Sequence, residues 1–207
     1  MDRFEYWEFL YRKEYETFCN SNLCGEDWFE NYTDGGKKIL DFIYSLREEC
    51  TFRDCSFLDL GCGNGQFLLL VDPTKFTKIV GVDYSFSAIE LAKAYSEKHH
   101  SPIEWLQADV FHLPPQVKAG NWNFIHDKGT LDAIELQGMK LVDDYIQIVV
   151  DLLAPKGYFV VTCCNKTLEE LVSLLSGKLE FYKNLSYPSF RFGGQEGTVL
   201  VTAAFMK

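Results

Sequence analysis

A glycine-rich turn directly after a short apolar stretch restricts the fold of this chain more than any other feature. Residues 56–60 form a predicted buried strand, and glycines follow at Gly61, Gly63 and Gly65. Glycine has no Cβ, so it adopts positive φ angles and lets the backbone approach a neighbouring group closely. A strand, a glycine turn and a helix in this order are typical of ligand-binding α/β folds, because the first amides of the helix point at the ligand. We therefore predict a ligand-binding turn at 61–65 and a short helix from there to Leu70.

The rest of the chain alternates between predicted strands and helices. Further strands are predicted at residues 78–82, 103–107, 122–126 and 158–162. Alternating β and α units form a parallel sheet that helices cover on both faces. The chain ends differently, because residues 179–185 and 198–205 are two predicted strands with only a loop between them, and such strands pair as an antiparallel hairpin. The expected fold is α/β, with a seven-stranded, mostly parallel sheet and a C-terminal antiparallel hairpin.

Two sequence patterns predict where helices begin. Ser87 and Glu90 form the pattern of a capping box for the helix after the second strand, and Thr167 and Glu170 do so after the fifth. The helix before the fifth strand should end near Leu153, because a segment with proline and glycine follows it.

Acidic residues mark the ends of the first three predicted strands. Asp59 lies two residues before Gly61, Asp83 ends the second strand, and Asp109 follows the third. The carboxyl ends of parallel strands meet at one edge of the sheet, where open α/β folds bind ligands. Asp83 can accept hydrogen bonds from both hydroxyls of a ribose, although it could also only cap the next helix. The order of the three acids indicates a nucleotide-like ligand.

The glycine spacing distinguishes two kinds of nucleotide-binding turn. NAD-binding domains use GxGxxG, whereas this chain has GxGxG preceded by an acid. That form resembles the S-adenosylmethionine-binding turn of methyltransferases, with a tight turn that binds no ligand as the alternative. The resemblance implies that the cofactor is S-adenosylmethionine, with Asp109 near the adenine amino group and Val110 near the ring. The residues expected to bind it at these strand ends are Asp59, Gly61, Gly63, Gly65, Asp83, Tyr84, Asp109 and Val110.

Size and composition limit the remaining possibilities. The 207 residues suit a single domain, 1–207, with an N-terminal helical lid at 1–36 and a Rossmann-like core at 37–207. With 20 basic and 30 acidic residues the net charge is −10, which disfavours sequence-independent binding to nucleic-acid phosphates. We expect no membrane partner and a cytoplasmic location, because no secretory leader and no long apolar run occur. The spacing of cysteines and histidines predicts no metal site.

Four further segments carry a resemblance to one family. They are residues 25–29, 127–134, 164–167 and 190–194. Together they look like the methyltransferase-like family, and within it they are most similar to the lysine methyltransferases of eukaryotic elongation factor 1A. The likeness covers almost the whole chain. It implies the class I S-adenosylmethionine-dependent methyltransferase fold and methylation of a lysine in elongation factor 1A. We expect the enzyme to be a monomer.

The resemblance also indicates residues for catalysis. A lysine amine must be neutral to attack a methyl group, and its ordinary pKa is about 10.4. Asp127, at the end of the fourth strand, is the candidate for orienting the amine, and Asn165, at the end of the fifth, for hydrogen bonding to the substrate. Trp28 could line the lysine channel or cover the cofactor. As alternatives, Asp127 caps the backbone or belongs to the cofactor shell, Asn165 caps the next helix, and Trp28 is an ordinary core aromatic.

Other functions stay open at this point. A small-molecule methyltransferase shares every cofactor motif, but such enzymes usually enclose the substrate with inserted elements, and few are present here. A non-catalytic S-adenosylmethionine-binding partner of another enzyme would expose a large apolar patch. A nicotinamide-dependent oxidoreductase is disfavoured by the glycine spacing. The fourth strand is not followed by the Asn/Asp-Pro-Pro-Tyr motif used to methylate amides and bases, so a nucleic-acid substrate is also disfavoured.

Overall fold

The computed structural model describes residues 3–21, 35–47, 49–187, 190–192, 195–197 and 200–207. Nine strands lie within them: β1 Cys55–Leu60, β2 Phe76–Asp83, β3 Glu104–Gln107, β4 Trp122–Lys128, β5 Leu153–Cys163, β6 Glu180–Leu185, β7 Phe190–Phe192, β8 Gln195–Gly197 and β9 Val201–Met206. Seven of them form one sheet in the order β3-β2-β1-β4-β5-β9-β6. Neighbours from β3 to β5 run parallel, whereas β9 is antiparallel to both β5 and β6. The predicted sheet with its C-terminal antiparallel strand pair is confirmed.

Helices cover both faces of the sheet. The described helices are α1 Arg3–Ser21, α2 Gly35–Tyr44, α3 Phe86–His99, α4 Pro115–Lys118, α5 Thr130–Glu135, α6 Met139–Leu152 and α7 Leu168–Leu175. Side chains alternate between the faces along each strand, so Phe124 in β4 joins an aromatic cluster under α2, while Ile125 joins the cluster under α6. Both clusters are almost completely buried. They hold the carboxyl ends of β1, β2 and β4 in register, with Asp59 opposite both Gly81 and His126.

The segment after the glycine turn differs from the prediction. It forms a short 3-10 helix, Leu68–Leu70, instead of an α-helix. The helix ends before Val71, whose backbone is already extended with ψ 127°.

Two other details of the sequence interpretation were wrong. The cap of α3 is Ser85, whose Oγ accepts from the Ala88 N–H at 3.1 Å; the helix begins at Phe86, so Ser87 lies within its first turn. The region at 187–197, predicted as a loop, contains the antiparallel pair of β7 and β8. The other two boundaries are confirmed, since Thr167 and Glu170 form the capping box of α7 and α6 ends at Leu152.

The capping box of α7 gives a test of this fold. Thr167→Ala removes the Oγ that accepts from the Glu170 N–H, so the free energy of unfolding should fall by about 1 kcal/mol. Thr167→Ser is the matched control, because serine keeps the accepting oxygen and should retain most of that stability. Urea unfolding of the three proteins measures the difference. An alanine variant as stable as the wild type would contradict the assigned cap.

Candidate active site

The glycine turn is packed tightly against side chains from distant parts of the chain. Gly61 and Gly63 have φ values of +74° and +53°, in the left-handed region that favours glycine. A Cβ on Gly61 would lie 1.9 Å from the Thr130 hydroxyl of α5, and one on Gly63 would lie 2.4 Å from the Tyr11 hydroxyl of α1. Only glycine therefore allows α1 and α5 to approach the turn this closely.

The third glycine joins the turn to the other side of the fold. Gly65 has a φ of +75°, and a Cβ there would lie 2.5 Å from the Trp105 ring and 2.8 Å from the Cβ of Ala92. Trp105 belongs to β3 and Ala92 to α3. The turn is thus fixed against the strand and the helix that follow the second acid.

Asp83 connects the end of β2 to the glycine turn. Its Oδ2 accepts from the Gly63 N–H at 2.9 Å, and its Oδ1 accepts from the Ser85 N–H at 2.9 Å. The residue is 7% exposed. Burial raises the pKa of Asp83 to about 6, and the two N–H donors oppose that rise. The predicted ligand-edge acid is therefore buried against the turn, and it also orders the start of α3.

Helix α1 reaches the same edge with two carboxylates. Glu8 accepts from the Ser85 hydroxyl at 2.8 Å and from the Ser87 hydroxyl at 2.6 Å. Glu14 accepts from the Asn64 amide at 2.8 Å. Sequence reasoning missed these contacts, because the residues they join are 50 to 79 positions apart and neither glutamate belongs to a recognisable motif. Together with Tyr11 they attach α1 directly to the turn and to the start of α3.

A small cavity of about 40 Å³ lies between these elements. Its lining comes from α1, the turn and the ends of β1 and β4: Tyr11, Asp59, Gly61, Cys62, Gly63, Asn64, Phe67, His126 and Lys128. A water molecule needs about 10–15 Å³ of such space. The cavity therefore fits a small polar group, and a nucleoside must lie outside it.

Asp59 lines this cavity together with a histidine that sequence reasoning missed. The Nδ1 of His126 lies 2.7 Å from the Asp59 Oδ1, and both residues are buried. They face each other because β1 pairs with β4 in this register. The sequence carries no signal for that pairing, since 67 positions separate the two residues.

Asp109, the acid that follows β3, is more exposed than Asp83. Asp109 is half-exposed, and its carboxylate accepts from the Phe111 N–H at 3.0 Å and lies 2.9 Å from the His112 Nδ1. Val110 is buried in the hydrophobic core, which leaves little of its surface for a ligand ring. Tyr84 is half-buried, and its carbonyl accepts from the Gln107 amide at 3.3 Å. All of these residues lie at the same edge as Asp83.

Asp127 is held inside the protein. Its carboxylate accepts from the Thr130 N–H at 2.9 Å, from the Leu131 N–H at 3.0 Å and from the Tyr145 hydroxyl at 2.7 Å. It is fully buried, and burial raises its pKa to about 7, with these donors opposing the rise. The structural alternative predicted for Asp127 fits this geometry, because the carboxylate anchors the start of α5. The geometry argues against direct contact between Asp127 and a substrate amine.

The end of β5 carries Asn165 on the surface. Its side chain is exposed, and the cap of α7 is Thr167, so Asn165 does not perform the capping role considered for it. Beside it, the buried Asp132 accepts from the Cys164 N–H at 2.9 Å, and its Oδ1 has no hydrogen-bond partner among the described side and main chains. Burial raises the pKa of Asp132.

Trp28 lies outside the described residues, as does the segment 25–29 that carried part of the resemblance. Within the described ranges no group of three or more His, Cys, Asp or Glu residues is placed to hold a metal ion. No helix among those described has both the length and the apolar character needed to cross a membrane.

Comparison with known proteins identifies relatives over nearly the whole chain. Residues 51–202 match the model of the methyltransferase domain family. The chain is 37% identical to protein-lysine N-methyltransferase EFM4 of Saccharomyces cerevisiae, over 98% of this chain and 93% of the relative. It is 34% identical to EEF1A lysine methyltransferase 2 of Homo sapiens, over 98% of this chain and 85% of the relative.

The fold also matches solved structures. The N-methyltransferase NodS from Bradyrhizobium japonicum, in complex with S-adenosyl-L-homocysteine, superposes with a TM-score of 0.68 and 17% identity, covering 93% of this chain and 97% of that one. A S-adenosylmethionine-dependent methyltransferase from Aquifex aeolicus superposes with a TM-score of 0.64 and 14% identity, covering 94% of this chain and 97% of that one. At these identities the likeness shows the fold.

The packing of the glycine turn can be tested with two glycines of almost equal φ. Gly65 and Gly177 have φ values of +75° and +79°, but a Cβ on Gly177 would meet nothing within 4 Å. Alanine at either position incurs the strain of the left-handed region, about 1–2 kcal/mol. Gly65→Ala should cost a further ~1–3 kcal/mol, because its methyl group overlaps Trp105 and Ala92. Urea unfolding measures both losses, and equal losses would contradict the tight packing of the turn.

Proposed function

This chain belongs to the methyltransferase domain family, and we propose that it is a protein-lysine N-methyltransferase that uses S-adenosylmethionine to methylate elongation factor 1A. Its curated relatives with 34–37% identity over nearly its full length bear the names of protein-lysine and EEF1A lysine methyltransferases. In this chain the proposal rests on one observation. The glycine turn, Asp83 and Asp109 lie together at one edge of the sheet, at the ends of β1, β2 and β3.

The residues of that edge fit S-adenosylmethionine. A carboxylate has about four lone-pair positions, and the two N–H bonds of Asp83 use one position on each oxygen, so both oxygens can still accept from ribose hydroxyls. Asp109 is half-exposed beside β3 and can accept from an exocyclic amino group. The small cavity near the turn suits the polar end of the cofactor's amino-acid arm. Asp59 and the three glycines line or shape that end of the site.

The bound cofactor supplies a methyl group on a positively charged sulfur, which is a strong electrophile. The attacking amine of the substrate lysine must be neutral, and desolvation in the site lowers the pKa of that side chain. In this proposal Asn165, which is exposed at the end of β5, hydrogen bonds to the substrate. Asp127 acts as a positioning residue, because it holds the start of α5, whose Thr130 fills the space beside Gly61.

Helix α1 has the contacts expected of a lid over this edge. Its Tyr11 is buried against Gly63, and its Glu8 bonds to the first residues of α3. Both contacts hold α1 against the turn and the start of α3. We assign α1 the role of excluding water from the reacting end of the cofactor.

The decisive experiment is methyl transfer to a defined protein. The purified chain is incubated with isotope-labelled S-adenosylmethionine and recombinant elongation factor 1A, and mass spectrometry locates the label. We expect label on a lysine of elongation factor 1A. Cofactor binding without any transfer to that protein would contradict the proposed substrate, and absence of cofactor binding would contradict the enzyme assignment.

One pair of aspartates provides matched variants for the same assay. Asp83 and Asp72 each accept from backbone N–H groups nearby, but only Asp83 lies at the ligand edge. Asp83→Ala should weaken S-adenosylmethionine by at least about 1.5 kcal/mol in calorimetry, because hydrogen bonds to a charged acceptor contribute that much. Asp72→Ala should leave the affinity unchanged. A folded Asp83→Ala protein with wild-type affinity would refute the role of Asp83.

A further inference from the structure

Helix α5 is bonded at its start to the strand that leads into the glycine turn. The Thr130 hydroxyl donates to the Leu60 carbonyl at 2.8 Å, directly before Gly61. The carboxylate of Asp127, at the end of β4, accepts from the first N–H groups of the same helix. The position of α5 is therefore set by the ends of β1 and β4, which lie at the ligand edge of the sheet.

The middle of α5 is bonded to the turn that follows β5. Asp132 is 6% exposed, and its Oδ2 accepts from the Cys164 N–H at 2.9 Å. Burial raises the pKa of Asp132, and hydrogen bonding from the backbones of Cys164 and Asn165 opposes that rise. The Asn165 side chain itself is exposed. The buried carboxylate therefore holds the backbone from which the Asn165 side chain projects.

The end of α5 makes a second connection to the same turn. Glu135, its last residue, forms an ion pair with Lys166, whose side chain is mostly buried. Before the helix, the Gly129 N–H donates to the Thr162 carbonyl of β5 at 2.9 Å. The end of β5 and the turn after it are thus connected to α5 along its whole length.

These contacts join the two sides that methyl transfer requires. The glycine turn follows β1, where the cofactor is expected, and Asn165 follows β5, where the substrate lysine is expected. A misplacement of about 1 Å between reacting groups can slow a reaction by about 100-fold. Asp132 is more buried than Glu135, the other side chain through which α5 reaches the turn. The alignment of the two sides therefore depends most on Asp132.

We propose that Asp132 is a positioning residue for methyl transfer, which holds the backbone of residues 164–165 so that the Asn165 side chain meets the substrate lysine. This role rests on the proposed function, since it assumes that a lysine of a protein is received at the end of β5. Asp132 acts through Asn165 and needs no contact of its own with the substrate.

Replacing Asp132 tests this role in the full chain with recombinant elongation factor 1A. Asp132→Ala removes the acceptor of the Cys164 N–H, so kcat should fall roughly 10- to 100-fold. The Kd of S-adenosylhomocysteine, measured by calorimetry, should stay unchanged. Asp132→Asn should restore most of the turnover, because an amide oxygen can still accept from that N–H. Asp151→Ala is the matched control, since this exposed aspartate of α6 bonds only to the Gln147 amide among the printed contacts of α6, and its kcat should equal that of the wild type.

A double variant tests whether Asp132 acts through Asn165. Asn165→Ala removes an exposed side chain and should leave the fold intact. Because the effects of two coupled residues do not add, Asp132→Ala combined with Asn165→Ala should be only as slow as the slower single variant. Asp132→Leu fills a similar space without an acceptor, and it takes the place of the alanine variant if circular dichroism shows that alanine prevents folding.

The outcomes separate this inference from the function on which it rests. If the wild type transfers no methyl group to elongation factor 1A, the proposed function fails, and the role of Asp132 fails with it. If the wild type is active and folded Asp132→Ala keeps its kcat, or loses cofactor affinity as much as turnover, only the role of Asp132 is overturned. Losses that multiply in the double variant overturn it as well. A loss of kcat alone, which Asp132→Asn restores and Asn165→Ala does not deepen, supports it.

Discussion

Side chains from distant parts of the chain can pack against the glycine turn after β1 because its glycines have no Cβ atoms. The Thr130 hydroxyl would lie 1.9 Å from a Cβ on Gly61, and the Tyr11 hydroxyl would lie 2.4 Å from one on Gly63. The same Gly63 N–H donates to the buried carboxylate of Asp83. One backbone segment thus contacts α1, the start of α5 and the end of β2. A change in any of these elements should therefore alter the position of the turn.

The buried acids near this turn differ in their hydrogen-bond partners. The Asp83 carboxylate accepts from the Gly63 N–H of the turn, whereas the Asp127 carboxylate accepts from two N–H groups at the start of α5 and from the Tyr145 hydroxyl. Burial raises the pKa of both, to about 6 and about 7 respectively, and the hydrogen-bond donors to each carboxylate oppose that rise. The Asp59 Oδ1 lies 2.7 Å from the His126 Nδ1, and both residues line the small cavity beside the turn.

The order of strands, glycines and acids was readable from the sequence because it depends on local pattern and on a rule shared by parallel sheets. What the sequence could not show depends on contacts between remote residues. The pairing of β1 with β4 creates the Asp59–His126 bond, and Glu8 of α1 accepts from both Ser85 and Ser87 at the start of α3. The inward orientation of Asp127 likewise depends on a tyrosine 18 positions away. The binding and catalytic roles of all the predicted site residues, the monomeric state and the cytoplasmic location stay predictions.

We expect α1, the glycine turn and the end of β2 to act as one unit that closes on the cofactor. Native-state hydrogen exchange with and without S-adenosylhomocysteine tests it most directly, because amide protection reports local opening. The ligand should raise protection together at the amides of α1, at residues 61–65 and at the start of α3. Protection that rises in the turn alone, while α1 exchanges as quickly as before, would contradict the claim.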